Sequence, residues 1–223
     1  MKQGDLEPLE QIGYSSLQEI AYQRIREALH RGRFQPGESL PTRTLAKAFG
    51  ISTTPVREAL ARLVAQNVLA VDTVNGTPYV PVITRELLIE IYEVRAMLEG
   101  LGAQHAAQSV TDEELAQLET LWAKLTAKGI NKDQQYRITE EFQYAVYRAA
   151  HRPVLLDLIQ SVWMRSGLVL SLLSKSGPKG FSVESHRAKL FAALTRRNAK
   201  GAREATRAGI EATRDMLLGV MDK

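Results

Sequence analysis

The run Leu45–Leu60, LAKAFGISTTPVREAL, constrains this chain more than any other stretch. It has the parts of two helices joined by a sharp bend. Ala46 is small enough to let a second helix approach the first. Gly50, four positions on, tolerates the left-handed backbone that the bend needs. Val56, six positions further, is a branched apolar residue that can lock the second helix in place. Pro55 belongs in a first helical turn, where its missing N–H is not needed. The buried stripe predicted for the second helix is Val56, Ala59, Leu60, Leu63 and Val64, and for the first it is Leu45, Ala46 and Phe49.

The flanks complete a small unit. Leu17, Ile20, Ala21, Ile25, Ala28 and Leu29 repeat at the helical period, predicting a helix over 16–31 that Gly32 stops. After Gln66 the period changes. Val68–Val71 and Tyr79–Val82 are short β-prone runs with Asn75-Gly76 between them, which signals a hairpin. Beyond Val82 the pattern is helical throughout. Leu87, Ile91, Val94, Leu98 and Leu101 mark one helix, and Thr111–Glu114 reads as a capping box opening the next. Further helices are predicted at about 133–150, 153–175, 182–197 and 199–221, with a break at Gly177–Gly180. The predicted fold is mostly α: a flexible arm over 1–14, a winged helix-turn-helix over 15–82, and an antiparallel all-α bundle over 83–223.

Composition narrows the function classes. The 223 residues include no cysteine, so disulfides, thiolate metal ligands and cysteine nucleophiles are excluded. The N-terminal MKQGDLEPLE lacks the apolar core of a signal peptide, and no apolar run reaches the ~18 residues of a membrane span. A cytoplasmic protein without membrane contact is expected. The net charge of +4 is mild, but Arg31, Arg33, Arg43, Lys47, Arg57 and Arg62 face only Glu38 and Glu58 between positions 31 and 62. A local cationic patch attracts phosphate. Solvated arginines on an ordinary helix give the same count.

The start of the second helix sharpens the choice. Ser52, Thr53 and Thr54 offer hydroxyls beside a helix N-terminus, which suits phosphate oxygens. Arg57, one turn in, lies opposite the apolar stripe and can reach a guanine edge. Arg43 can touch a phosphate or a groove edge, and Gly76 can bring backbone close to the minor groove. The competing reading ties Arg57 to Glu58 or Glu27 in an ion pair. No nucleophile–base pair and no glycine-rich phosphate loop is visible, so an enzyme is not expected.

Gly32-Arg33-Phe34-Gln35-Pro36-Gly37-Glu38, then Leu45-Ala46, then Gly50–Leu60 with its Thr-Pro-Val-Arg-Glu-Ala-Leu string, resemble the GntR family of bacterial repressors. Residues 85–102, RELLIEIYEVRAMLEGLG, resemble the first helix of the FadR-type sensor domain. The resemblance implies DNA contacts from Arg43, Ser52, Thr53, Thr54, Arg57 and Gly76. It implies a homodimer on a pseudo-palindromic double-stranded operator, tuned by a small molecule such as an organic acid. Thr53 stands where the family usually has arginine, which removes one long cationic contact and predicts a different operator sequence or affinity.

The resemblance also raises a metal. Many relatives hold a divalent ion with an Asp, a His four residues later, a third His near the start of a later helix and a fourth about 22 residues beyond. Here Thr139 replaces the Asp, Gln143 the first His, and Ala208 or Gly209 the last; only His186 fits. Glu140 and Glu141 do not keep the spacing. One ligand of four does not make a site, so no metal and no other cofactor is expected. Of the other histidines, His30, His105 and His151 fall near helix ends. Arg95, Thr139, Gln143 and His186 become the candidate effector contacts, with Ala208 and Gly209 leaving room; Tyr144, Arg148, Trp163 and Arg165 are weaker candidates. The alternative is a DNA-binding dimer whose degenerate sensor domain takes no ligand.

Overall fold

The computed structural model describes residues 16–30, 33–176 and 184–222. The expected arm over 1–14, Arg31, the stop at Gly32 and the break at 177–180 lie outside them. Among the described residues the order is α1 (Leu17–His30), α2 (Thr42–Phe49), α3 (Thr53–Ala65), β1 (Ala70–Val71), β2 (Pro78–Tyr79), α4 (Arg85–Ser109), α5 (Asp112–Leu125), α6 (Lys132–Arg148), α7 (Pro153–Ser176), α8 (Glu184–Thr195) and α9 (Ala199–Met221). A winged helix-turn-helix precedes an all-helical domain, as the patterning predicted.

The first three helices close on Ala21, Tyr22, Ile25, Leu29, Leu45, Ala46, Val56, Ala59, Leu60 and Leu63, all buried. Two residues of the α1 stripe face outward instead: Leu17 is 54% and Ile20 45% exposed. Tyr22 takes the inward place because its hydroxyl donates to Gln66 Oε1 at 2.8 Å, which satisfies the phenol inside the core.

The hairpin is shorter than its β-prone runs. Only Ala70↔Tyr79 and Val71↔Pro78 pair, antiparallel. A third segment reinforces them: Gly37 and Leu40 N–H groups donate to Val80 and Pro78 carbonyls at 2.7 Å, and Val80 N–H donates to Glu38 O at 2.9 Å. Pro78 has no N–H of its own, which leaves it suited to a short ladder of this kind.

Helix α4 is the axis of the helical domain and packs against α6, α7, α8 and α9. Its buried face meets the predicted stripe only at Ile91, which is buried. Leu87, Val94, Leu98 and Leu101 are half-buried, while Leu88, Tyr92, Arg95, Ala96, Glu99, Gly100, Gly102 and Ala103 are buried. Small residues explain the rotation. A Cβ on Gly102 would stand 3.0 Å from Ile159 Cδ1 and 3.1 Å from Tyr147 Cδ1, so glycine lets α6 and α7 approach here. Thr111 and Glu114 form the predicted capping box, and Asn131 with Gln134 forms a second at the start of α6.

The apolar core of the winged helix does not end at the hairpin. It runs on through Leu88, Ile91, Tyr92 and Ala96 of α4 to Ile210 and Leu217 of α9. A separate cluster, from Ala103 to Ala205, fills the far end of the bundle.

Candidate nucleic-acid interface and bundle interior

The bend between α2 and α3 is built by Gly50, at φ +67° and ψ 29°. Its N–H donates to Lys47 O at 3.3 Å, and Ile51 N–H reaches Ala46 O at 3.1 Å. These bonds satisfy carbonyls at the end of α2 and turn the chain into α3. Ser52 is the N-cap, in extended backbone, and its side chain makes no capping bond. The hydroxyl is left outside with those of Thr53 and Thr54, all three exposed.

Arg57 and Arg43 are exposed, and neither has a hydrogen bond or ion pair among the described residues. The alternative pairing of Arg57 is not adopted; Glu27 lies 3.7 Å from Arg24. Arg62, counted in the cationic run, is exposed but already engaged within the protein. Its guanidinium lies 3.9 Å over the Tyr22 ring and donates to Glu19 at 2.7 Å. Around the start of α3 the exposed cations are therefore Arg43, Lys47 and Arg57, with Arg62 taken out of the run by its own partners.

The wing tip, residues 72–77, is braced by Asp72, a residue outside the predicted contacts. Its Oδ1 accepts from Val74 N–H at 2.8 Å and Asn75 N–H at 3.3 Å, and its Oδ2 accepts from Asn75 Nδ2 at 3.2 Å. Gly76, at φ +69°, donates to Asp72 O at 2.8 Å. This Asx turn holds Gly76 at the tip without help from the rest of the protein. The Asp-x-x-Asn-Gly spacing was the available signal.

Inside the bundle, Arg95 is 7% and Glu99 1% exposed. Arg95 Nε donates to Glu99 Oε1 at 2.6 Å, and Tyr147 OH donates to Glu99 Oε2 at 2.6 Å. Burial opposes the guanidinium charge most strongly, but the charge and hydrogen bond of Glu99, joined by Tyr92 and Tyr147, together hold the Arg95 pKa above its ordinary value. Burial, then the Glu99 charge, push the Tyr147 phenol well up. Arg95 was expected to await an effector carboxylate; its neutralising partner is instead built in, one helical turn away.

Thr139 and Gln143 are half-buried on α6 and make no hydrogen bond among the described residues. His186 sits on a different helix, α8, and lines a groove with Lys189, Arg196 and Ala208. Its Nδ1 is buried without a hydrogen-bond partner among the described residues, as are Trp163 Nε1, Arg165 Nε and Thr206 Oγ1. Such atoms are costly unless something else satisfies them. Gly209 leaves no room of the kind expected. A Cβ there would lie 3.1 Å from His186 Cβ, so α8 already fills the space. Ala208 lines an open groove of about 460 Å³ with His186, Lys189, Arg196 and Ala205.

The residues do not fit the family's metal. No side chain at Gly209 can reach past His186 without moving α8, and Thr139 and Gln143 supply no anionic or imidazole donor. Among the described residues, no three His, Cys, Asp or Glu side chains converge as a ligand set would.

A second cavity, of about 310 Å³, lies on the seam between α1 and α3 on one side and α6 and α7 on the other. Tyr22, Arg26, Arg62 and Gln66 face Glu140, Tyr144, Asp157 and Trp163 across it. Arg26 and Glu140 bridge the seam at 3.5 Å. Burial raises the Glu140 carboxyl, with the Arg26 charge opposing.

Residues 17–78 match the bacterial regulatory proteins, gntR family, and residues 90–212 match the FCD domain. The HTH-type transcriptional regulator McbR of Escherichia coli is 35% identical over 146 residues, 64% of this chain and 65% of that one. An uncharacterized HTH-type transcriptional regulator of Bacillus subtilis, YdhC, is 29% identical over 63% of this chain and 64% of its own. These matches span just under two thirds of the relatives' lengths. The structure of E. coli McbR/YncC superposes with a TM-score of 0.82 at 29% identity, covering 92% of this chain and 98% of that one. No helix among the described residues is long and apolar enough to cross a membrane. With one domain matching at each end of a shared fold, the chain belongs to the GntR family of bacterial regulatory proteins, in the branch that carries an FCD domain.

Proposed function

We propose that this protein is a sequence-specific transcriptional repressor in the cytoplasm, bound as a homodimer to a pseudo-palindromic operator and released by a small acidic metabolite. The observation that carries the DNA reading is the free, exposed guanidinium of Arg57 beside the uncapped hydroxyls of Ser52, Thr53 and Thr54. A group that was structural would be paired, as Arg62 is. Arg57 reads a base edge; Arg43 and the hydroxyls hold phosphates; Gly76 lays the wing along the minor groove. Selection from a random duplex library with the full chain supplies the operator. Arg57→Ala then weakens binding to it by about 1–3 kcal/mol and relaxes base preference. Unchanged affinity and preference in gel shifts would remove the assignment.

The effector reading rests on Trp163 Nε1, His186 Nδ1 and Thr206 Oγ1, which are buried and without a hydrogen-bond partner among the described residues. An indole N–H only donates, and a hydroxyl can, so a ligand presenting acceptor oxygens satisfies them; Thr139 and Gln143 are secondary candidates. Arg95 acts through Glu99 and Tyr147 instead of meeting the ligand. A ligand present at 100 times its dissociation constant adds about 2.7 kcal/mol of stability. Thermal shift with acetate, lactate, succinate, citrate and gluconate, each with and without chelator, tests this. No shift with any of them favours a bundle that only dimerises.

A further inference from the structure

We propose that Trp163 is the positioning residue through which the state of the bundle interior is passed to the DNA-reading unit. This deepens the effector reading above and rests on the chain being a DNA-binding regulator.

Three observations meet at this one side chain. Its indole packs edge-on to Tyr147, with centroids 5.9 Å apart and planes at 81°, and Tyr147 is hydrogen-bonded into the buried Arg95–Glu99 pair. It packs against Tyr144 at the same distance, at 64°, and with Tyr144 forms part of the wall of the seam cavity. Its Nε1–H is buried without a partner among the described residues. One ring thus touches the polar interior on one side and the seam on the other.

The seam is the place where a small movement has an effect. A packed interface resists sliding, whereas a cavity of about 310 Å³ leaves the surrounding side chains somewhere to go. On the far wall, Arg62 lies in α3 and Gln66 is its C-cap; the N-terminal half of that helix carries Arg57. A helix moves as a rigid rod, so a tilt at Gln66 displaces Arg57. The direct bond across the seam, Arg26–Glu140, ties α1 to α6 one turn from Tyr144. An acceptor oxygen of an effector that takes the Trp163 hydrogen bond fixes the indole in one of its positions, and with it the shape of the seam.

Spatial intermediacy alone shows no coupling, so the test measures coupling. Operator affinity of the full chain is measured for wild type, Tyr147→Phe, Arg26→Ala and the double variant, on the duplex recovered from a random library. The four are repeated in a Trp163→Leu background and, should that fail to fold, in Trp163→Phe. With Trp163 present, the double variant departs from the product of the single effects by about threefold or more, outside the additivity of distant sites. Without it, the departure disappears. Met164→Ala, which alters the same cavity wall, leaves the departure in place. In a Trp122→Phe background, where Trp163 is the sole indole, Tyr147→Phe and Arg26→Ala each shift its emission. Additive effects overturn the proposal, as does a departure that survives loss of Trp163 or a spectrum that answers neither change. Recovery of no duplex overturns the DNA reading itself, and this inference with it.

Discussion

Gly50 and Glu99 show how much single positions decide. At Gly50 a Cβ would meet nothing within 4 Å, so packing permits any side chain, but the backbone sits at φ +67°. Gly50→Ala should therefore destabilise the fold by about 1–2 kcal/mol through backbone strain alone. Asn tolerates this conformation better, so Gly50→Asn should lose less in the same urea melts. Equal losses would point to a packing cause. Glu99 is the opposite case, where the backbone is ordinary and the surroundings decide. Glu99→Leu leaves the Arg95 guanidinium buried and unneutralised and strands the Tyr147 hydroxyl. Breaking a buried pair from one side costs about 3–5 kcal/mol, read in the same melts. Gly50 was legible because left-handed turns depend on a few neighbouring residues. Arg95 and Glu99 stand four apart, the spacing of an ion pair on a helix, yet Arg95 was expected to meet an effector carboxylate. Their burial was not legible, because it depends on α6 and α7 closing over Gly102 through Tyr147 and Ile159, 45 and 57 residues further on.

Elements carry the next set of consequences. The wing was read from Asn75-Gly76, yet its shape depends on Asp72 accepting from two backbone N–H groups and one amide. Asp72→Ala should speed hydrogen exchange at Val74 and Asn75 while leaving the melting temperature almost unchanged, since the loop lies outside the core. Unaltered exchange would mean that the strands, not Asp72, shape the tip. Helix α6 makes a pH-dependent contact. Burial raises the Glu140 carboxyl above its ordinary 4.5, so the folded protein holds that proton more tightly than the unfolded chain. In the window just above pH 4.5, folded molecules bind more protons there, and Glu140 makes stability fall as pH rises. Glu140→Gln removes this term, so the variant should gain on wild type through that window. Parallel melting-temperature profiles would show that Glu140 titrates normally. The seam itself left no trace in the periodicity of α1, α6 or α7, because periodicity reports which face is buried and not against what.

At the scale of the whole molecule, the question is how many copies of the reading head meet one operator. The helical domain and the winged helix share a continuous core through α4 and α9, so a partner gripping the helical domain also fixes the spacing of two α3 helices. Two-fold symmetry doubles each contact, and salt dependence counts contacts directly. Each phosphate held by a cationic side chain contributes about −0.9 to the slope of log affinity against log salt. If Arg43 holds one phosphate in each protomer of a dimer, Arg43→Ala should flatten the slope by about 1.8, and by about 0.9 if a single copy binds. Arg57→Ala gives the contrast. A residue that reads a base changes the ranking of operator variants, whereas Arg43→Ala weakens all of them by a similar factor. Both slopes come from fluorescence anisotropy between low and physiological salt, on the selected duplex and on one half of it. A flattening near 0.9 on the full duplex would mean that one protomer binds alone. No flattening at all would take Arg43 off the backbone and leave phosphate contact to the hydroxyls and to Lys47.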